Sequence, residues 1–305
     1  MAPRRKAKRP TNRHGERAAA GAPPRVVYRE FRPHELLRED VRCFWVLDME
    51  YPKDGVQDVV PDGCVELIFN FGSPYRPLTG RVVEPPPVGF VVGFQDKTVK
   101  FRVSGRVRVV AARMQAWGAL TLLRDRIEGL AGAVTGLGEE WRGTIARIGA
   151  CVARDDREGA VRVLEGLLIE RSLARRYDRD LIQAAASHLH RTKGRFKIGE
   201  LADSCRLSVR QLERGFRRVV GATPKTYART LRFERAQRRL MFEPEADLTE
   251  LANECGYFDQ AHFIKDFKAF TGTTPSRYAR EMARMQRILR AKDVVFLQFA
   301  APTAG

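Results

Sequence analysis

Leu201-Ala202-Asp203-Ser204-Cys205-Arg206-Leu207-Ser208, continued by Leu212, Phe216, Gly221, Pro224 and Tyr227, is a pattern that the chain writes a second time. Leu251, Ala252 and Cys255 repeat Leu201, Ala202 and Cys205 at an offset of fifty. Asp259, Phe263, Phe267, Gly272, Pro275 and Tyr278 then repeat Ser208, Leu212, Phe216, Gly221, Pro224 and Tyr227 at fifty-one, so one residue has been inserted in the second turn.

Each copy reads as helix, tight turn, helix. Ile198, Leu201 and Ala202, and again Leu248, Leu251 and Ala252, give a short first helix one apolar face, with a small alanine that lets a partner helix approach. Ser208 and Asp259 stand where an N-cap oxygen accepts from the free N–H groups of the next helix. On that second helix Leu212, Phe216 and Val219 fall together, while Arg210, Glu213, Arg214 and Arg217 project roughly opposite at spacings of three and four. Gly221 ends the helix in a conformation glycine tolerates, and Pro224 opens the next one. A short helix, a turn and a longer helix with an arginine-lined outer face is the plan of a helix-turn-helix reader.

These residues resemble the AraC/XylS-type transcription regulators, whose DNA-binding domain joins two such motifs by a long helix. Tyr227 to Ala236 is similar to the family's linker, with Phe233 where leucine is usual. Cys255-Gly256-Tyr257-Phe258-Asp259-Gln260-Ala261-His262-Phe263, then Phe267-Lys268 and Gly272-Thr273-Thr274-Pro275-Ser276-Arg277-Tyr278, follows the family signature almost residue for residue. The resemblance covers roughly residues 178 to 285. It implies double-stranded DNA as partner and two recognition helices, Ser208 to Val219 and Asp259 to Phe270, entering successive major grooves about 34 Å apart. On the first of them Arg210 and Arg214 are expected at guanine edges or phosphates with Gln211 and Glu213 beside them, and Arg217 and Arg218 at the backbone. On the second the matching face is Gln260, Ala261, His262, Lys265 and Lys268, with Ile264 offering only a thymine-methyl contact.

Charge agrees with that division. The chain of 305 residues carries a formal net charge of +18. Residues 1 to 25 hold eight basic against one acidic side chain, residues 26 to 177 hold 23 against 21, and residues 178 to 290 hold 23 against 14. Positive charge therefore sits in the tail and the repeat, as phosphate binding requires. The five cysteines, Cys43, Cys64, Cys151, Cys205 and Cys255, have no paired spacing and read as reduced and buried. No run approaches the roughly 18 apolar residues of a membrane span, and the basic N-terminus lacks an apolar signal core. A cytoplasmic protein is expected.

Working outward, residues 1 to 25 form a basic arm too poor in apolar groups to fold alone, read either as a phosphate-binding arm or as a solvated tail. From Val26 to Met114 short β-branched and aromatic runs alternate with turn residues. The strands expected are Val41–Leu47, Cys64–Phe71, Val88–Phe94, Thr98–Val103 and Val107–Met114, the last two joined as a hairpin at Ser104-Gly105. A small antiparallel sandwich or barrel is the economical outcome. Helical periodicity returns over Trp117–Ile127, Trp141–Val152 and Asp155–Arg176. There Ala160, Val161, Val163, Leu164, Leu167 and Leu168 make an apolar stripe, either packed on its own domain or a homodimer seam. Asp178 to His190 opens the reader domain, and residues 291 to 305, with Val294-Val295-Phe296-Leu297, form a tail.

In the family that the repeat resembles, the preceding domain is often a cupin-like barrel that senses a small molecule. The segment Val60 to Asn70 resembles an uncharacterised sensor domain found ahead of such readers. The fold class expected is thus α+β with two domains: a β-rich sensor or dimerisation domain over 26 to 177 and an all-helical double helix-turn-helix over 178 to 290. For a small effector, Trp45, Glu66 and Arg113 are the candidate contacts if their side chains point inward. Alternation puts Glu66 with Ile68 on one strand face and Val65, Leu67 and Phe69 on the other, without saying which is inside.

Two enzyme classes compete. A cupin-type metal enzyme would need histidine and carboxylate ligands, yet no histidine follows His34 in the strand region, and His188 and His190 would splay about 200° apart on a helix. Cys64 beside Glu66 has no histidine nearby in sequence to activate it. A DNA-repair methyl acceptor would need a clustered reactive cysteine, and no such spacing occurs. The expectation is no catalytic, metal or cofactor site.

Overall fold

The computed structural model describes residues 27–78, 81–82, 87–123, 130–174 and 181–290. The expected basic arm, the tail with Val294 to Leu297, the end of the Trp117–Ile127 helix and the start of the Asp178 helix lie outside the described residues.

Among the described residues eight strands come first: β1 (Val27–Phe31), β2 (Val41–Val59), β3 (Cys64–Asn70), β4 (Arg76–Pro77), β5 (Arg81–Val82), β6 (Gly89–Val92), β7 (Val99–Gln115) and β8 (Ala133–Gly136), with helix α1 (Gly118–Leu123) between the last two. Two longer helices follow, α2 (Arg142–Ala153) and α3 (Arg157–Leu173). The remainder is helical: α4 (Leu181–Arg191), α5 (Ile198–Ser204), α6 (Val209–Val219), α7 (Pro224–Phe242), α8 (Leu248–Glu254), α9 (Gln260–Thr271) and α10 (Pro275–Arg290).

The strands form one sheet in the order β1-β2-β7-β3-β6-β8-β5, with β4 also paired to β7. All pairs are antiparallel except β5 with β8. β7 is the spine. Its side chains alternate, so Val110, Ala112 and Met114 join the core under α1, α2 and α3, while Val99, Phe101, Val103, Val107, Val109 and Ala111 line the other face. On that second face Val134 of β8 and Val59 of β2, four strands apart in the order, belong to one apolar cluster. The sheet therefore curls around this face and makes it an interior.

One expectation fails here. The predicted hairpin at Ser104-Gly105 is a single strand, and β2 likewise runs unbroken from Val41 to Val59. Gly105 sits at φ +64, and a Cβ there would lie 2.5 Å from the hydroxyl oxygen of Ser73. The glycine serves a kink in β7, opposite extra residues between Tyr51 and Gly55 of β2, rather than a chain reversal. Strands β1 and β8 had no strong sequence signal and were not expected as elements.

The stripe on α3 packs on its own sheet: Ala160, Val161, Leu164 and Leu168 are buried and Val163 and Leu167 partly so. Those side chains are taken up by the core, not held out as a seam for a second copy. Among the described residues no helix is long and apolar enough to cross a membrane.

Candidate nucleic-acid interface

The two repeat units are superposable in their local chemistry. Arg206 (φ 54) and Gly256 (φ 77) both turn the chain through the left-handed region. The next residues, Leu207 and Tyr257, donate their N–H groups to the Ala202 and Ala252 carbonyls at 3.0 Å each. Ser208 caps α6 by accepting from the Gln211 N–H, and the Gln211 side chain accepts from the Ser208 N–H at 2.8 Å, which completes a capping box. Asp259 caps α9 by accepting from the His262 N–H at 2.6 Å. Leu212, Phe216 and Val219 in one unit, and Phe263, Phe267 and Phe270 in the other, are buried.

Because those residues fix which side of each helix faces inward, the opposite side is in solvent. On α6, Arg210, Gln211, Arg214, Arg217 and Arg218 are exposed and Glu213 is half-buried, 3.7 Å from Arg217. On α9, Ala261, His262, Lys265 and Lys268 are exposed, with Gln260 and Ile264 half-buried. The expected contact residues thus share one outer face per unit. Gln211 is also engaged in the cap, and the His262 ring stands edge-on to Tyr257 at 5.4 Å. Val209, 41% exposed at the first turn of α6, is an outer-face residue that the sequence reading passed over.

What holds the units together is a set of arginine-to-carbonyl bonds that has no local sequence signal. Arg195, just before α5, and Arg235 of α7 both donate to the Glu254 carbonyl at the end of α8, each at 2.6 Å. Arg232 of α7 donates to the Gly194 carbonyl at 3.2 Å. Arg229 of α7 pairs with buried Asp266 of α9 and lies over the Phe270 ring at 4.5 Å. The Gln237 amide donates to the Tyr278 hydroxyl at 2.7 Å, fastening α10 to the same helix. α7 is thereby bonded to the turn ahead of α5 and to α8, α9 and α10, while α6 packs on it through Phe216 against Tyr227.

The sheet is also fastened to α7. Phe94, Ala116 and Trp117 enter the core of the first unit beside Tyr227 and Leu231. Arg42 of β2 pairs with Glu234 of α7 at 2.9 Å. Burial pushes the Glu234 carboxyl above the ordinary range, and Arg42 opposes that push. Thr98 donates its hydroxyl to the Phe270 carbonyl at 2.6 Å, at the far end of α9.

Trp45, Glu66 and Arg113 are brought together on the interior face of the curled sheet. The Trp45 indole N–H donates to Glu66 at 2.9 Å and the Arg113 guanidinium donates to it at 2.5 Å. Arg113 lies 3.4 Å from Asp62 and 3.9 Å from Glu30 as well. Burial works against its charge, but Glu66 and Asp62 hold it above the ordinary guanidinium range. The same burial raises the Glu66 carboxyl against the pull of Arg113. The face that the strand alternation left open is thus settled: Val65, Leu67 and Phe69 pack under the helices, and Glu66 with Ile68 points to the interior. Two cavities of about 20 Å³ each, space for one water, lie against residues such as Val46 and Arg157, and Val91 and Trp141. Neither is lined by Trp45, Glu66 or Arg113. Among the described residues no group of three or more His, Cys, Asp or Glu side chains is placed to hold a metal ion.

Residues 201–281 match the family model of a helix-turn-helix domain, and residues 29–135 match that of a domain of unknown function (DUF6597). The HTH-type transcriptional activator RhaS of Pectobacterium carotovorum is 39% identical over 74 residues, 24% of this chain and 26% of that protein. The HTH-type transcriptional regulator Rv1931c of Mycobacterium tuberculosis is 31% identical over 99 residues, 32% of this chain and 38% of that one. The chain thus spans between a quarter and two fifths of the length of these relatives. A crystal structure of ToxT from Vibrio cholerae O395 aligns over 78% of this chain and 96% of its own, with a TM-score of 0.44 and 11% identity.

Proposed function

We propose that this chain, whose residues 201–281 form a helix-turn-helix domain of the AraC type, is a sequence-specific DNA-binding transcriptional regulator. The observation that carries the proposal is the pair of capped helices, α6 and α9, both packed on one connecting helix and each turning an exposed, cation-bearing face outward. Such a face offers phosphate attraction and base-edge donors on one surface. Within it Arg214 reads a base, Arg210 reaches a guanine edge or a phosphate, and Arg217 and Arg218 hold the backbone. Gln260, Ala261, His262 and Lys265 take the matching positions in the second groove, with Lys268 at the phosphates. Gln211 and Glu213 support the first contact surface, Gln211 by holding the cap.

The sheet domain, taken as residues 26–177 against 178–290 for the reader, is the regulatory part of this proposal. Its interior cluster of Trp45, Glu66 and Arg113 is the place for a small effector, and Asp62 leads from it to Arg42 and Glu234 on α7. An effector acts there only if it binds the two states of that connection unequally. The proposal assigns no reaction to the chain. Cys64 is buried, its thiol pushed well above the ordinary range by burial and by Asp62, which leaves it a poor nucleophile. A reader of this kind works in the cytoplasm, where its DNA is.

The test is selection from random duplex DNA by the purified full-length chain, followed by footprinting. A two-part site with its halves one helical turn apart is expected. Recovery of no sequence preference would refute the proposal.

A further inference from the structure

The two turns differ by one residue, and the structure identifies which one. Arg206 and Gly256 occupy the same left-handed position, and Leu207 and Tyr257 make the same bond to the carbonyl five residues back. Leu207 and Tyr257 are also the residues that pack inward, Leu207 against the first core and Tyr257 within the second. In the first unit the N-cap follows at once. In the second, Phe258 stands between Tyr257 and the cap Asp259, with no counterpart in the first copy. Its side chain is 89% exposed. It therefore contributes almost nothing to the core, although burying an aromatic ring of this size is favourable.

We propose that Phe258 is a specificity-determining residue, which packs its ring against a thymine methyl group in the major groove entered by α9. The inference rests on the reading of the chain as a DNA reader and deepens it for the second unit. Three observations choose this occupant. Phe258 directly precedes the first turn of α9, the part of such a helix that meets base edges. The exposed residues that follow along α9 are Ala261, His262, Lys265 and Lys268, so the helix behind the ring presents small, aromatic and cationic groups. Within α9 the one acid, Asp266, is buried with Arg229, and the exposed Asp259 ahead of it accepts the His262 N–H as the cap. An exposed apolar ring at the start of a helix that bears cations along its length suits a phosphate-framed groove whose one apolar group is the thymine methyl. The first unit, with Arg210 and Arg214 on its outer face, is built for hydrogen-bonded readout, so the two half-sites differ chemically.

The test uses the full-length chain, its Phe258→Ala and Phe258→Leu variants, and the duplex that the unaltered chain selects from random sequence. Each thymine in the second half-site is replaced in turn by deoxyuridine, which removes only the methyl group. The unaltered chain is expected to lose about tenfold in affinity at one position, which is about 1.4 kcal/mol. Phe258→Ala is expected to lose the same factor on the thymine duplex, to be indifferent to the deoxyuridine there, and to bind random duplex as before. Phe258→Leu, which keeps an apolar group, is expected to fall between. Thermal unfolding of Phe258→Ala should match the unaltered chain, because the ring supports no core. Full affinity of Phe258→Ala for the selected site, as a protein-docking role for the ring would give, overturns the inference. Equal loss on random duplex, or no effect of any deoxyuridine, also overturns it. Failure of the unaltered chain to select any sequence would instead refute the underlying reading.

Discussion

Glu234→Ala is the change that should most disturb the relation between sheet and reader. Glu234 of α7 is nearly buried, its side chain 10% exposed, and it accepts from Arg42 of β2, whose side chain is 27% exposed; Arg238 lies 3.9 Å away on its other side. Removing the carboxylate leaves the Arg42 guanidinium without its ion-pair partner in the seam between sheet and helices, with Asp62 the remaining acid that acts on it. Breaking a fully buried pair costs about 3 to 5 kcal/mol. Because Arg42 keeps some access to water, the expected loss is at or below that lower limit, about 2 to 3 kcal/mol. Replacing both partners, Arg42→Met with Glu234→Leu, removes both charges and should recover most of the loss. Urea unfolding of the full-length chain provides the assay. Trp45 and Trp141 lie with the sheet, whereas Trp117 enters the core of the first unit, so in a Trp117→Phe background the fluorescence follows the sheet part, while far-ultraviolet circular dichroism is dominated by the helices. The two transitions should coincide in the unaltered chain and separate in Glu234→Ala. A Glu234→Ala protein within about 0.5 kcal/mol of the unaltered one, the range of an ordinary surface substitution, with coincident transitions, would refute the reasoning.

Arg214→Ala should cost roughly 1 to 3 kcal/mol on the selected site and relax the preference at one base, whereas Arg217→Ala should weaken selected and random duplex alike; binding isotherms on both separate the two. His190 is held neutral by burial, with Arg42 adding to the effect, and its pKa is pushed down to about 4. Between that value and about 6.5 the unfolded chain binds a proton that the folded chain refuses, so stability should fall on the order of 2 kcal/mol from pH 6.5 to 5. His190→Phe should flatten that slope in urea titrations at several pH values, and an unchanged slope would exclude His190 as its source. Ser208→Ala removes the cap of α6 and should lower stability by about 1 kcal/mol, measured in the same unfolding assay.

The repeat was legible because its punctuation has local causes. Ser208, Asp259, Gly221, Gly272, Pro224 and Pro275 each do their work within a few residues, and the caps and left-handed glycines stand where expected. Gly105 shows the limit of such local signals. A positive φ marks a glycine equally well in a hairpin and in a kinked strand, and only the nearness of Ser73, more than thirty residues earlier in the chain, decides between them. Alternation in β3 separated Glu66 from Val65 and Leu67 but not inside from outside, because the sheet curls and both faces are covered. The bond between Arg42 and Glu234 joins residues 192 apart, and nothing within either segment announces the other. The insertion in the second turn was countable from the sequence, but assigning it to Phe258 required the backbone bond of Tyr257 to Ala252.

The arginines that reach from α7 and its surroundings to the Gly194 and Glu254 carbonyls bear on how the reader meets a double helix. With α9 bonded to α7 and α6 packed on it through Phe216 and Tyr227, the protein has a set pitch, and the duplex must match it in phase as well as in length. Inserting one base pair between the two half-sites turns the second about 35° around the duplex axis and moves it about 3.4 Å along it. A jointed pair of readers follows such a shift by swivelling, but a braced pair must either let one groove go or twist the DNA back. Its target is then defined as much by the number of bases between the two contacts as by the identity of the bases in them.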